Sequence, residues 1–193
     1  MATQEAYLGT VGGFVQQTYP NQHGTWLPGD IMHGTDTNLI DSVTVAETNG
    51  VNAGQFVTKA FMSTPLREGV NNIRVSLPTA TSTAIYGMVI VNRVMASRND
   101  GTPYAPLNTM ANVLRFDRAG GRGVTLAYDT IAAGDPVYVV RANAVTGNTR
   151  PIGSVTNAAI TDGTNTDTLA IPGAVFVANA VAGKPAEFEA RVQ

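Results

Sequence analysis

Thr130–Arg141, TIAAGDPVYVVR, is the stretch whose reading decides the fold. Gly134-Asp135 is a turn signal, and Pro136 suits the first residue of a strand. Val137 to Val140 have the β-branched and aromatic character that strands favour. The arrangement returns near the C-terminal end as VAGKPAEFEARV, where Gly183 precedes Pro185 as Gly134 precedes Pro136. Two strands launched from similar corners of one β-structure are expected, although two copies do not make a repeat architecture. The plainer alternative is that Ala-Gly-x-Pro is a common way to begin a strand.

Outward from this stretch the chain reads as a series of short strands. Val43 and Val45 alternate with Ser42 and Thr44, and Phe56–Phe61 follows the turn-rich ETNGVNAG. Ile73, Val75 and Leu77 share one face, as do Val124, Leu126 and Tyr128. Ala84–Met95 is the most apolar run, and its length predicts a long central strand. Leu114 and Phe116 alternate with Arg115 and Asp117, and Gly120–Gly123 reads as a hairpin turn. In IPGAVFVAN, Ala174, Phe176 and Ala178 share a face. At the end, Ala186, Phe188, Ala190 and Val192 oppose Glu187, Glu189 and Arg191, a clean period of two. Helical periodicity is confined to one candidate turn near Pro106–Asn112. About ten short strands joined by Gly, Asn and Asp turns predict an all-β fold, a single sandwich or barrel-like domain over 37–193.

Residues 1–36 read as an extended arm, broken by Gly9, Gly12, Gly13, Pro20, Gly24, Pro28, Gly29 and Gly34. Such a segment cannot bury many rings by itself. Tyr7, Phe14, Tyr19 and Trp26, with Leu27 and Pro28, are therefore expected to pack on the domain or on a partner chain.

Composition narrows the function. Only 13% of the 193 residues are charged, against roughly 25% in ordinary soluble domains. A surface poor in charge favours a protein whose faces are covered by neighbours. The net charge of −2 with scattered basic residues gives no footprint for nucleic acid, and no apolar run is long enough to span a membrane. The N-terminus lacks the features of a secretory signal, so synthesis in the cytoplasm is expected. The absence of cysteine removes disulfides, thiolate metal sites and a Cys nucleophile.

Catalytic constellations are not found. His23 and His33 lie in the arm without metal-ligand spacing, and no GxSxG elbow occurs. TDGTNTDT gathers Asp162, Asn165 and Asp167, but the order is wrong for a calcium loop, and an Asx-turn loop is expected. Asp30 with Asp36, and Glu187 with Glu189, read as solvated carboxylates. No enzyme, metal or cofactor is predicted.

The order of motifs, from GQFVTKA through AIYGMVI, Pro103-Tyr104, GVTLAY, AAGDPVYV and IPGAVF to AGKPAEFEARV, resembles the structural cement (decoration) proteins of tailed-bacteriophage heads. The residues that carry the resemblance are Gly54, Gly87, Gly134, Asp135, Pro136, Ile171, Pro172, Gly173, Ala174 and Phe176. The N-terminal arm is longer and richer in glycine than the family pattern. The resemblance implies a non-enzymatic virion protein on the capsid exterior. Such a protein assembles with itself, as a trimer or alternatively a dimer, and stabilises contacts between major capsid protein subunits. The competing expectation is a carbohydrate- or receptor-binding β-module of a phage particle, with Tyr86, Tyr104 and Tyr138 stacking on sugars.

Overall fold

The computed structural model describes residues 27–32, 39–60, 73–91, 95–116 and 121–190. Among them there are thirteen strands and no α-helix. In chain order these are β1 Ile40–Val45, β2 Val51–Asn52, β3 Phe56–Ala60, β4 Arg74–Ser76, β5 Gly87–Ile90, β6 Ala96–Ser97 and β7 Pro103–Ala105. The series continues with β8 Met110–Arg115, β9 Gly121–Leu126, β10 Pro136–Val140, β11 Val155–Thr156, β12 Thr168–Phe176 and β13 Pro185–Ala190.

Five strands close into a small barrel in the order β1-β4-β3-β5-β8. Alternation along each strand divides its side chains between two cores. Val43, Val45, Val57, Val75, Val89, Ala111 and Val113 fill the barrel interior. Phe56, Met88, Ile90 and Leu114 belong to a second core shared with Val137, Val139, Phe176, Ala186 and Phe188. Those last five come from a five-stranded sheet ordered β11-β10-β12-β13-β9. The ends of that sheet approach each other through a parallel bridge between Ala127 and Val155. A three-stranded sheet, β2-β7-β6, completes the body. Arg98 staples it by donating from Nε to Asn52 Oδ1 (2.6 Å) and from Nη2 to the Asn49 carbonyl (2.8 Å).

Three expectations are corrected. The apolar run Ala84–Met95 does not form one long strand: β5 is only four residues, all buried. Its apolarity reflects burial on both faces, with Met88 and Ile90 in the shared core and Val89 inside the barrel. Pro106–Asn112 is not a helical turn, because the chain turns at Leu107-Asn108 and enters β8 at Met110. Of the hairpin turn expected at Gly120–Gly123, Gly120 lies outside the described residues, and Gly121–Gly123 instead begin β9, which pairs with β13 rather than with β8. The glycines there answer to packing. A Cβ on Gly123 would lie 2.7 Å from Met88 Cε and 3.3 Å from the Phe188 ring. That space is taken by a triad of rings, Phe56, Phe116 and Phe188, with centroids 5.4 to 5.6 Å apart. Such ring pairs add about 0.5–1.5 kcal/mol each beyond area burial.

The paired corners are equivalent. Gly134 N donates to the Phe176 carbonyl (2.7 Å) and Phe176 N donates back to Asp135 O (2.9 Å). At the second corner Gly183 N donates to Ala127 O (2.8 Å) and Ala127 N to Lys184 O (2.9 Å). Both glycines have positive φ, +92° and +79°. Three residues before each, Ile131 and Ala180 exchange both backbone hydrogen bonds, at 2.8 and 3.0 Å. The recurrence in the sequence is thus a recurrence in space, with the two launching loops paired back to back.

Candidate assembly surface

Leu27–Met32 is the part of the expected arm that lies within the described residues, and it is built into the body as a strap. Gly29 N donates to the Val124 carbonyl of β9 (2.7 Å), while Gly29 O accepts from Val91 N just beyond β5 (3.0 Å). Val124 N donates to Asp30 O (2.9 Å), Met32 N donates to Arg122 O (3.1 Å), and Ile31 bridges Gly123. One residue therefore stitches the barrel to the second sheet. Asp30 closes the turn at the head of the strap by accepting from Leu27 N (2.7 Å).

The strap explains two glycines. Gly29 has φ +94°, and a Cβ there would meet Ala53 Cβ at 2.7 Å and Val91 Cγ2 at 3.0 Å. Gly54 has φ +81°, and its Cβ would meet Pro28 Cβ at 2.7 Å and Gly29 N at 3.1 Å. The two backbones cross at contact distance, which only glycine permits. Gly54→Ala is expected to lift the strap and lower stability by about 1–3 kcal/mol. Hydrogen exchange reads this directly: protection should fall first at the Val91 and Val124 amides, while β10 to β13 keep theirs.

The other motif residues are also positional. Gly87 lies against β8, where a Cβ would come within 2.2 Å of the Leu114 carbonyl oxygen. Asp135 accepts from Asn157 Nδ2 (2.7 Å) and Ala132 N (2.9 Å). These donors, Asn157 foremost, hold its carboxyl below the usual Asp range. Pro136 opens β10. The register between β10 and β12 slips between Pro136 and Tyr138, opposite Ile171–Ala174. Within that bulge Pro172 is exposed and Gly173 has φ +70°. Beyond it Ala174 and Phe176 pair with Ala190 and Phe188 of β13. The IPGA motif thus lets one strand serve two neighbours.

Of the expected interface residues, Tyr7, Phe14, Tyr19 and Trp26 lie outside the described residues, as do His23, His33 and Asp36. Leu27 is 54% exposed at the head of the strap, and Pro28 is half-buried on Gly54. The tyrosines weighed for sugar stacking are not brought together. Tyr86 donates to Asp41 and has Lys59 Nζ 4.9 Å from its ring centroid. Tyr104 lies under Arg98, 4.3 Å away, and Tyr138 is in β10. Glu189 pairs with Arg122 at 3.0 Å. The TDGTNTDT loop is an Asx turn, Asp162 accepting from Thr164 N and Asn165 N. Sequence reading did not find the role of Asp167. It is fully buried and accepts from Ala144 N, Val145 N and Asn148 Nδ2 at 2.8–2.9 Å. Among the described residues no group of three or more His, Asp or Glu side chains is placed to hold a metal ion. An open depression lies between the paired corners beside Asp135, Asn157, Val181 and Lys184.

Residues 15–191 match the family model described as structural cement protein (E217 gp24/Pam3 gp6). Among solved structures, a chain of the capsid of Myoviridae phage XM1 is similar, with TM-score 0.57 and 18% identity. That match covers 88% of this chain and 93% of the other. A second, the head fiber gp8.5 N base of bacteriophage phi29, has TM-score 0.37 and 12% identity, covering 80% and 98%. The search of curated proteins returns no match. A match spanning the strap and every described strand identifies the chain: it belongs to the phage structural cement protein family.

Proposed function

We propose that this virion structural protein binds the outer face of a phage capsid as a homo-oligomer, a trimer in the preferred form, and stabilises contacts between major capsid protein subunits. Family membership over residues 15–191 carries the reading. The low charge content supports it, because a face poor in charge suits coverage by neighbours. An oligomer aligned with a local symmetry axis presents identical footprints. Two or three weak footprints then combine through effective concentration, raising avidity by about 10² to 10⁴. The aromatic residues of the arm, Tyr7, Phe14, Tyr19 and Trp26, are the proposed anchors, since rings dominate interface energetics.

Purified protein mixed with expanded, undecorated capsids and imaged by electron microscopy tests the reading. Regular density over the lattice supports it, and bare capsids at saturating protein refute it. The arm has its own test. Because the strap belongs to the body, the informative truncation removes residues 1–26 and leaves Leu27. That variant is expected to keep the full-length melting temperature yet lose tenfold or more in capsid occupancy or self-association, by the hot-spot scale of about 1–2 kcal/mol per anchor. Undiminished decoration by the truncated chain would remove the arm from the mechanism.

A further inference from the structure

We infer that the turn Pro106–Met110, with Arg74 beside it, is a preformed contact for the capsid lattice. It would fit an apolar hollow bordered by a carboxylate. The inference rests on the proposed capsid attachment and names the surface that performs it.

Strand register assembles this patch. Thr44 of β1 pairs with Arg74 of β4 on one side and with Met110 of β8 on the other. Directly paired residues point to the same face of a sheet. Val43 and Val45 point into the barrel, so Arg74 and Met110 flank Thr44 on its outer wall. Met110 is 60% exposed and Leu107, in the same turn, 41%. These are two of only five large apolar side chains so exposed among the described residues.

The turn is held rigidly. Asn108 has φ +59°, the only non-glycine residue with positive φ among the described residues. Its amide donates to Val45 O (2.9 Å), and Val45 N donates to Thr109 O (3.0 Å). Thr109 Oγ1 donates to Pro106 O (2.7 Å), and Arg74 Nη2 donates to Asn108 Oδ1 (2.5 Å). A left-handed asparagine held from both strands keeps Leu107 and Met110 largely exposed to water. A locked turn loses little entropy on docking, which favours affinity.

Charge specifies the partner. Asp41, Glu189 and Asp129 are paired with Arg115, Arg122 and Arg150. Among the described residues the Arg74 guanidinium has no carboxylate partner, and its one hydrogen bond is to Asn108. A guanidinium fixed beside two apolar side chains is complementary to an acidic group at the edge of an apolar hollow.

The experiment uses full-length protein and undecorated capsids in co-sedimentation, with oligomeric mass measured in parallel. The double substitution Leu107→Ser and Met110→Ser is expected to weaken capsid binding about tenfold or more, with oligomeric mass and melting temperature unchanged. Arg74→Gln should weaken it less and flatten its dependence on salt. Val181→Ser removes an equally exposed apolar group at the paired corners and should bind as wild type. If the double variant misfolds, Met110→Gln alone serves, with a smaller expected loss. Wild-type affinity in the turn variants overturns the inference while leaving capsid attachment standing. A change in oligomeric mass overturns it in favour of contact with a second copy. Failure of the wild-type protein to bind refutes the attachment itself, and the inference with it.

Discussion

Gly87→Ala is expected to be among the most damaging single-methyl changes in the chain, lowering stability by about 3 kcal/mol or more. The added Cβ would stand 2.2 Å from the Leu114 carbonyl oxygen and 2.5 Å from Val113 Cγ1. Neither neighbour can yield. Leu114 is fixed by its pairing with Met88 and with Ile40, and Val113 is wholly buried inside the barrel. The methyl group would therefore part β5 from β8, opening the barrel and disturbing Met88 in the shared core. Gly163→Ala supplies the contrast. Gly163 has φ +88° but nothing within 4 Å of its would-be Cβ, so only the conformational term of about 1–2 kcal/mol applies. Denaturant unfolding of the two variants separates steric exclusion from backbone strain. Equal losses would show that the approach of β5 to β8 is softer than the geometry requires.

Asp167→Ala should cost a similar amount, about 3 kcal/mol, for an electrostatic reason. The side chain is fully buried and organises residues 142–148, where Ala144 N, Val145 N and Asn148 Nδ2 converge on its two oxygens. Removing the carboxylate leaves the buried Asn148 amide without its acceptor, penalised by about 1–3 kcal/mol, while the Ala144 and Val145 amides, nearer the surface, turn to water at a smaller cost. Asp167→Asn should be milder, because one oxygen remains while the new amide faces donors. The same residue gives a pH signature. Burial pushes its pKa up, but the hydrogen bonds from Asn148, Val145 and Ala144 outweigh burial and hold it below the ordinary Asp value. A depressed folded-state pKa contributes stability that is complete above the unfolded value of about 3.9. That contribution is lost as the pH falls through the lower folded value. Stability measured from pH 6 downwards should fall less steeply below about pH 4 in Asp167→Asn than in wild type. Parallel curves would contradict this account.

The contrast between these residues shows what was legible in the sequence. Strand content and the closing strand β13 follow from period-two alternation, because each side chain's environment is set by its own position along the strand. The Ala-Gly-x-Pro corners were legible because a positive φ before a proline-led strand calls for particular residue types. The barrel's closure was not, because the pairing of β1 with β8 joins segments seventy positions apart, as Ser42 and Asn112 illustrate. Gly121–Gly123 read as a turn because glycine is a local signal there, whereas Gly123 answers to Met88 and then to the ring of Phe188, both on other strands. Asp167 lay in a polar loop with every appearance of a solvated group. Its donors come from residues about twenty positions earlier, and nothing in their side chains announces them.

The strap at Leu27–Met32 also has a mechanical meaning. A tensile load applied at the N-terminal end of the chain would arrive at Gly29, whose N–H is bonded to Val124 on one side and whose carbonyl is bonded to Val91 on the other. Pulled along its length, this segment loads its hydrogen bonds in shear, so they must rupture together rather than unzip one by one. The same pull is divided between the segment that follows β5 of the barrel and β9 of the five-stranded sheet, neither of which bears it alone. A grip at residue 26 would therefore resist sudden outward stress more strongly than one attached to a free-hanging tail of equal length.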